Sequence, residues 1–363
     1  MAVMAWALRR FSLTKAVPLA ISRGTTASVE RLELTLVRDG LTGRGETGGF
    51  ETGHRGFSTD AVERELQAVL AELEALNPEH PDAFEPLLTS LSPPAACAVD
   101  LAVLDWYGRR LQQPFWRLQG LVGDHAVATS VTLGLGSVSD VVRRLHRWWD
   151  QLPATRVKLK LGSPDGLDHD QALLAAVAEA LDQRGNAIGT GLELQVDANG
   201  GWSQDQTKSM FGSLVGHGVV LLEQPLAPHP DPDLDTAGFA ALKPNCPIPL
   251  VADESCWDLR DLLRLAPHVD GVNLKLLKTG GLSPALLMAR VSRQLGLSLM
   301  VGCYSDSRLL NGSAAQLLSL IRWPDLDSHL NLIDDPFEGL PLVGDVLKPS
   351  SGHGLGITRA EVA

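Results

Sequence analysis

The chain has 363 residues, 44% of them hydrophobic and 20% charged, and carries a formal net charge of -12. That length exceeds one ordinary domain and suits a barrel with an added cap, and the apolar share supports a sizeable core. The acidic balance argues against a nucleic-acid or membrane-surface protein, since both need a concentrated basic face, and leaves small soluble molecules as the expected partners.

At the N-terminus, MAVMAWALRRFSLTKAVPLAISRG contains RRFSL, loosely similar to a twin-arginine export signal. Its apolar run AVPLAI is too short for such a signal, so the segment is read as a first strand and loop. Residues 28–38, SVERLELTLVR, alternate as a half-buried strand does, and DGLTGRGETGG reads as a glycine-rich hairpin. No phosphate-loop context follows those glycines, so turn chemistry explains them. Helices are expected over 59–76 and 93–112, the second with Ser92 as cap and Pro93 in its first turn. From about residue 126 short β-rich runs alternate with helical ones: VATSVTLGL, SVSDVVRRLHRWW, TRVKLKL, DHDQALLAAVAEALDQ, LELQVD, VVLLE, PIPLVAD, DGVNLK and LSLMVGC. Strand ends near 160, 197, 223, 253, 275 and 303 leave room for one helix and its loops each. The expectation is an α/β parallel barrel, with a doubly wound open sheet as the alternative. A closing GLGIT is expected to return as a short strand to the N-terminal segment. Cys97, Cys246, Cys256 and Cys303 form no CxxC pair, which disfavours a disulfide framework or zinc cluster and fits a reducing cytoplasm. No run approaches the ~20 apolar residues of a membrane span.

Polar residues stand at the ends of these apolar runs: Lys158 and Lys160 in VKLKLG, Asp197 in LELQVDAN, Glu223 in VVLLEQP, Asp253 in PIPLVADES, and Lys275 and Lys278 in VNLKLLKTGG. Strand C-termini are where a βα barrel builds its active site. Taken singly, each acid reads equally as a helix cap or strand terminator. Together, three carboxylates from adjacent strands suit one hard cation in octahedral oxygen coordination at ~2.0–2.1 Å, as Mg2+ prefers; Mn2+ also fits. Lys158 and Lys160 share one strand face with Cα atoms about 6.5–7 Å apart. Their repulsion and the nearby metal charge are expected to lower the pKa of one toward ~7–8, as a lysine general base requires. Lys160, closer to the strand end, is the expected base, with Lys275 across the barrel as the second and Lys278 as charge support. One lysine removing a proton and another returning it on the far side defines a racemase or epimerase, with the metal stabilising the enolate between the two transfers. None of the 10 histidines sits at a matching strand end, so no histidine base is expected.

At these residues the chain resembles the enolase superfamily, in its muconate lactonizing subgroup, and more closely the dipeptide epimerases of the L-Ala-D/L-Glu type. The resemblance runs over SRGTT, KLK, DAN, EQP, ADES, NLKLLKTGG, MVGCYSDS and GLGI, nearly the whole chain. It implies a (β/α)7β modified TIM barrel with an α+β capping domain: 1–124 as cap, 125–334 as barrel, and 335–363 returning to the cap. It also makes Asp253 the third metal ligand. In WPDLDSHL, Asp325 and Asp327 match a family DxD motif that holds a dipeptide's free ammonium, against the plainer reading of an acidic surface turn. Arg23 resembles the residue that binds an acidic side chain in glutamate-specific members, and Ser130, Thr132 and Cys303 join the substrate-binding set. Asp306 stands where many relatives carry glutamate and Tyr304 where methionine is common, and Ser328-His329 also departs from the pattern.

The function so implied is a cytoplasmic Mg2+-dependent isomerase inverting the α-carbon of the C-terminal residue of a dipeptide. L-Ala-Glu, a cell-wall peptide fragment, is the leading substrate. The partner is that small molecule, without nucleic acid or membrane, and a homo-oligomer stays open. Rival readings are o-succinylbenzoate synthase or N-acylamino acid racemase, which offer no ammonium to Asp325 and Asp327, then muconate cycloisomerase, then a Schiff-base aldolase barrel.

Overall fold

The computed structural model describes residues 4–124 and 127–360, so the expected domain limit at residue 125 lies outside the described residues. The chain opens with an antiparallel meander of β1 (Ala5–Ile21), β2 (Gly24–Arg38) and β3 (Leu41–Gly48). Alternation in β2 turns Leu32, Leu34 and Leu36 inward, all fully buried, onto helices α1 (Thr59–Ala75) and α2 (Pro93–Arg110).

Two local expectations are corrected here. Only Asp39 and Gly40, with φ of 53° and 75°, make the hairpin turn. Gly43 and Gly45 lie within β3, where a Cβ would come 2.1 and 2.0 Å from the carbonyl oxygens of Ala102 and Ala98; these glycines let α2 approach the sheet. Ser92 does precede α2, but its N–H and hydroxyl both donate to Glu65, so the helix starts on Pro93 without a side-chain cap.

Beyond the cap, eight parallel strands form one sheet: β4 (Ser130–Leu133), β5 (Arg156–Lys160), β6 (Glu193–Asp197), β7 (Val219–Glu223), β8 (Leu250–Ala252), β9 (Gly271–Leu274), β10 (Ser298–Gly302) and β11 (Trp323–Asp325). Helices α3 (Val138–Gln151), α4 (Leu167–Ile188), α5 (Gln204–Gly216), α6 (Pro232–Leu242), α7 (Leu259–Leu265), α8 (Leu282–Gln294) and α9 (Arg308–Ala315) fill the successive crossovers. The sheet closes where Ser130 Oγ donates to Asp325 at 2.6 Å and Leu326 N donates to Thr129 Oγ1 at 3.0 Å. This is a (β/α)7β barrel.

Strand alternation layers the barrel interior. Leu221, Val251, Met300 and Trp323 form an apolar floor. Two residues further along the same strand faces come Glu223, Asp253, Gly302 and Asp325. The period that buries the floor therefore lifts the polar groups to the C-terminal mouth. Register levels them: Lys160 pairs with Asp197, and Asp197 with Glu223.

In the tail, Leu355 and Ile357 are fully buried. The strand Thr358–Arg359 at the end of GLGIT pairs with Phe337–Glu338, while Gly354 at its start forms a parallel bridge with Pro114 of the N-terminal segment. Backbone and side chains together make the link to the cap: Gly354 N donates to the Gln113 carbonyl at 2.9 Å, the Gly354 carbonyl accepts from Phe115 N at 2.8 Å, Leu355 N donates to Asp105 at 2.8 Å, Arg109 donates to the Ile357 carbonyl at 2.9 Å, and Arg359 pairs with Glu33. Among the described residues, no helix is long and apolar enough to cross a membrane.

Candidate active site

Asp197, Glu223 and Asp253 converge at the barrel mouth, each fully buried and each offering an oxygen within 4.8 Å of the others. Lysines surround them. Lys160 Nζ lies 2.6 Å from Asp197, and Lys158 Nζ lies 2.7 Å from Glu223, 2.8 Å from Asp325 and 3.1 Å from Asp197. Lys275 Nζ lies 2.6 Å from Asp253 Oδ2, and Lys278 Nζ 2.6 Å from Asp253 Oδ1 and 3.1 Å from the Asn273 carbonyl. Lys160 ends β5 and Lys275 follows β9; in a closed sheet of eight, strands four apart face each other across the barrel.

Residues that the motif reading passed over complete the cluster. Asn273 Nδ2 donates to Glu223 at 2.9 Å, and Gln224 Oε1 accepts from the Asp253 N–H at 2.9 Å. Asn199 gives its N–H to Asp197 at 2.8 Å and its amide to Glu254 at 3.2 Å. Asn199 and Gln224 have φ of 45° and 34°, a left-handed backbone for non-glycine residues directly after the carboxylate strands. Such strain, of order 1–3 kcal/mol per residue, persists where surrounding contacts over-determine it. One signal was available: Asn273 stands two before Lys275 in NLK, on the same face.

Burial is the largest single influence on these groups, and the charges around them oppose or add to it. Burial raises all three carboxyls. At Asp253 the ammonium groups of Lys275 and Lys278 overcome it and hold the group well below the usual carboxylate range; at Asp197, Lys160 and Lys158 bring it down to about 2. Burial, and then the charge of Asp197, push Glu223 up to about 8. Burial pulls Lys158 down, but the charges of Asp325, Glu223 and Asp197 hold it well above the ordinary lysine value, and Asp253 does the same for Lys275. An all-oxygen donor set, fully buried and converging within 4.8 Å, with Glu223 Oε2 met by the Lys158 ammonium at 2.7 Å, fits a hard divalent cation.

Asp325 and Asp327 are 5% and 6% exposed, which rules out a surface turn. They do not share a strand face, because β11 ends at Asp325 and Asp327 opens the turn Ser328–Asn331. Ser130 Oγ and the Thr132 N–H, expected to meet substrate, donate to Asp325 and Asp327 at 2.6 Å each and so orient the acid pair. Burial and then Asp325 push Asp327 up to about 6, while Lys158 holds Asp325 down against burial.

Arg23, in the turn between β1 and β2, donates to the Asn199 carbonyl and to Glu254, both at 2.7 Å. Its charge is thus partnered by Glu254. A cavity of about 420 Å³ opens here, between Arg23 and Thr52 of the cap and Ser163, Asn199 and Gly200 of the barrel. Cys303 is a free half-buried thiol that burial and the adjoining Asp327 push up. Asp306 turns toward the cap, accepting from Arg31 at 2.9 Å, and His329 is buried beside Asn311 at 3.1 Å. Lys15 of β1 was also passed over: it is 6% exposed, and no carboxylate among the described residues lies within ion-pair distance of its amine.

Comparisons with known proteins fall on the same features. Residues 7–120 match the mandelate racemase / muconate lactonizing enzyme N-terminal domain, and residues 140–363 match the enolase C-terminal domain-like family. The chain is 37% identical over 349 residues to a hydrophobic dipeptide epimerase of Roseobacter litoralis, covering 94% of this chain and 96% of that one. It is 34% identical over 356 residues to a hydrophobic dipeptide epimerase of a Flavobacteria bacterium, covering 97% of each. A dipeptide epimerase from Enterococcus faecalis, solved with Mg and the dipeptide L-Leu-L-Tyr, superposes with a TM-score of 0.88 at 26% identity, covering 99% of this chain and 100% of that one. The chain therefore belongs to the enolase superfamily, in its mandelate racemase / muconate lactonizing branch, and is an isomerase of the dipeptide epimerase group.

Proposed function

We propose that this enzyme inverts the α-carbon of the C-terminal residue of a dipeptide with a free amino terminus, using Lys160 and Lys275 as the two bases. The observation that carries the reading is the placement of these lysines on strands four apart, each 2.6 Å from a different carboxylate of one trio. An α-proton held between them leaves toward the neutral amine of one lysine and is replaced from the ammonium of the other, which inverts the centre. Lys158, touching Asp197, Glu223 and Asp325, and Lys278, held on Asp253, balance the buried charge. Asp197, Glu223 and Asp253 would hold Mg2+, which supplies Lewis-acid stabilisation of the negative charge that develops on the substrate carboxylate. Asp325 and Asp327, fixed by Ser130 and Thr132, accept the substrate's ammonium.

Side-chain preference follows from Arg23. Its guanidinium is neutralised by Glu254, so an apolar C-terminal residue is favoured over glutamate. The names of the two relatives above agree with that preference.

Proton–deuterium exchange in D2O over a dipeptide library tests the whole reading. Exchange at the C-terminal α-carbon is expected for free-amine dipeptides with apolar side chains, abolished by EDTA and restored by Mg2+. Exchange confined to N-acylated amino acids would overturn the dipeptide assignment. Borohydride trapping of either lysine would favour an aldolase instead.

A further inference from the structure

Lys275 and Lys160 each touch one carboxylate, but their other surroundings differ. The ring of Tyr304 lies with its centroid 4.5 Å from Lys275 Nζ, on a segment following β10. Among the described residues, no aromatic ring faces Lys160 in that way. Tyr304 in turn packs on Phe50 of the capping segment, ring centroids 4.5 Å apart, and Phe50 stacks on Trp257 at 5.5 Å and 26°. Trp257 Nε1 donates to the Glu254 carbonyl at 2.8 Å, directly after Asp253. A second tie fixes the same ring from its backbone. Tyr304 N donates to Asp306 at 2.9 Å, Asp306 accepts from Arg31 at 2.9 Å, and Arg31 also donates to the Gly49 carbonyl, next to Phe50, at 2.9 Å. The Tyr304 hydroxyl is buried and has no partner among the described residues, so the ring is held by its faces and its backbone.

We propose that Tyr304, clamped by Phe50 of the cap, is a positioning residue for the Lys275 amine alone, so that cap packing governs one of the two proton transfers and leaves the Lys160 transfer untouched. This rests on the two-lysine reading above. A lysine amine rides on a four-carbon stem with free rotation, and a carboxylate on one side leaves it free to swing. An aromatic face on the other side is attractive to a cation and closes that arc. Lys160, on the opposite wall, has no such brace and needs none of the cap's aromatic packing.

Net epimerisation in the two directions is bound together by the equilibrium constant, so it cannot resolve the two bases. Exchange of the α-proton for deuterium with retained configuration can, since it reports abstraction and return by one lysine. It is measured by NMR from each epimer separately, in the Mg2+-loaded full-length enzyme. Tyr304→Leu is expected to slow retention exchange from the epimer deprotonated by Lys275 about tenfold or more, the scale that ångström misplacement of a reacting group costs. Exchange from the other epimer is expected to stay within about twofold of the parent, as transfer through an unmoved base requires. Tyr304→Phe should keep both rates, because the hydroxyl anchors nothing. Phe50→Leu, which changes the clamp and not the ring, should reproduce the one-sided loss in weaker form, and serves if Tyr304→Leu fails to fold. Equal slowing from both epimers in Tyr304→Leu and Phe50→Leu, or no slowing in either, overturns the proposal. A parent enzyme that exchanges no dipeptide overturns the epimerase reading, and this inference with it.

Discussion

Two acidic clusters share the mouth of the barrel and are held in different ways. Asp197, Glu223 and Asp253 are gripped by charged groups, with four lysine amines within 3.1 Å. Asp325 and Asp327 are oriented mainly by neutral donors, the Ser130 hydroxyl and the Thr132 N–H, and share a single lysine, Lys158, with the trio. Burial is nearly the same in both. The difference in company leaves Asp253 well below the usual carboxylate range and Asp327 up at about 6. A trio so enclosed suits a small hard cation, whereas in the pair only Asp325 meets an ammonium, that of Lys158 at 2.8 Å.

The largest expected effect breaks the trio's chemistry from either flank: Lys160→Ala or Lys275→Ala should lower epimerisation by about 10²–10⁴-fold, the usual weight of a general acid–base group. Deuterium exchange should survive from one epimer in each variant, a different epimer in the two cases. Next, Glu223→Gln should weaken Mg2+ binding by about 100-fold or more in calorimetry, at or above the top of the range for outer-shell partners, while Asp327→Asn leaves it unchanged. Asp327→Asn should instead lower kcat/KM for free-amine dipeptides by about 10–100-fold, matching the 1.5–3 kcal/mol of a charge-assisted hydrogen bond. A parallel loss of metal affinity would merge the two clusters into one.

A pH profile sharpens the contrast further. Asp327 protonates near pH 6, so kcat/KM should fall as pH drops through that value and should lose this limb in Asp327→Asn. The folded pKa lies above the ordinary carboxylate value, so at this group the fold prefers the protonated form. Acidification from neutrality therefore costs no stability here, and a melting curve should show the activity loss without unfolding. The smallest effect is Ser130→Ala, which removes one donor from Asp325 and should cost about fivefold in KM, near the ~1 kcal/mol of a neutral hydrogen bond.

Much of this site could be read directly from sequence, for a physical reason. Glu223, Asp253 and Asp325 stand two residues beyond floor residues on the same strands, and a period of two is what alternating patterns display. Lys158 and Lys160 obey the same rule. What could not be read depends on contacts distant in the chain or on backbone angles. Arg23 meets Glu254 across 231 positions, a pairing no local pattern announces. The left-handed turns at Asn199 and Gln224 carry no glycine to announce them. Gly43 and Gly45 looked like turn residues because the helix that needs their missing side chains lies far along the chain. The bonds of Ser130 and Thr132 to Asp325 and Asp327 were not legible either, since nothing local shows which distant carboxylate a hydroxyl or N–H meets.

The floor of Leu221, Val251, Met300 and Trp323 has a consequence for how such an enzyme can diversify. It works as a hydrophobic bung, sealing the lumen from below and carrying cohesion that owes nothing to the reactive groups overhead. Mouth residues can then be exchanged one at a time, trading one substrate for another, while the foundation that keeps the strands closed stays intact.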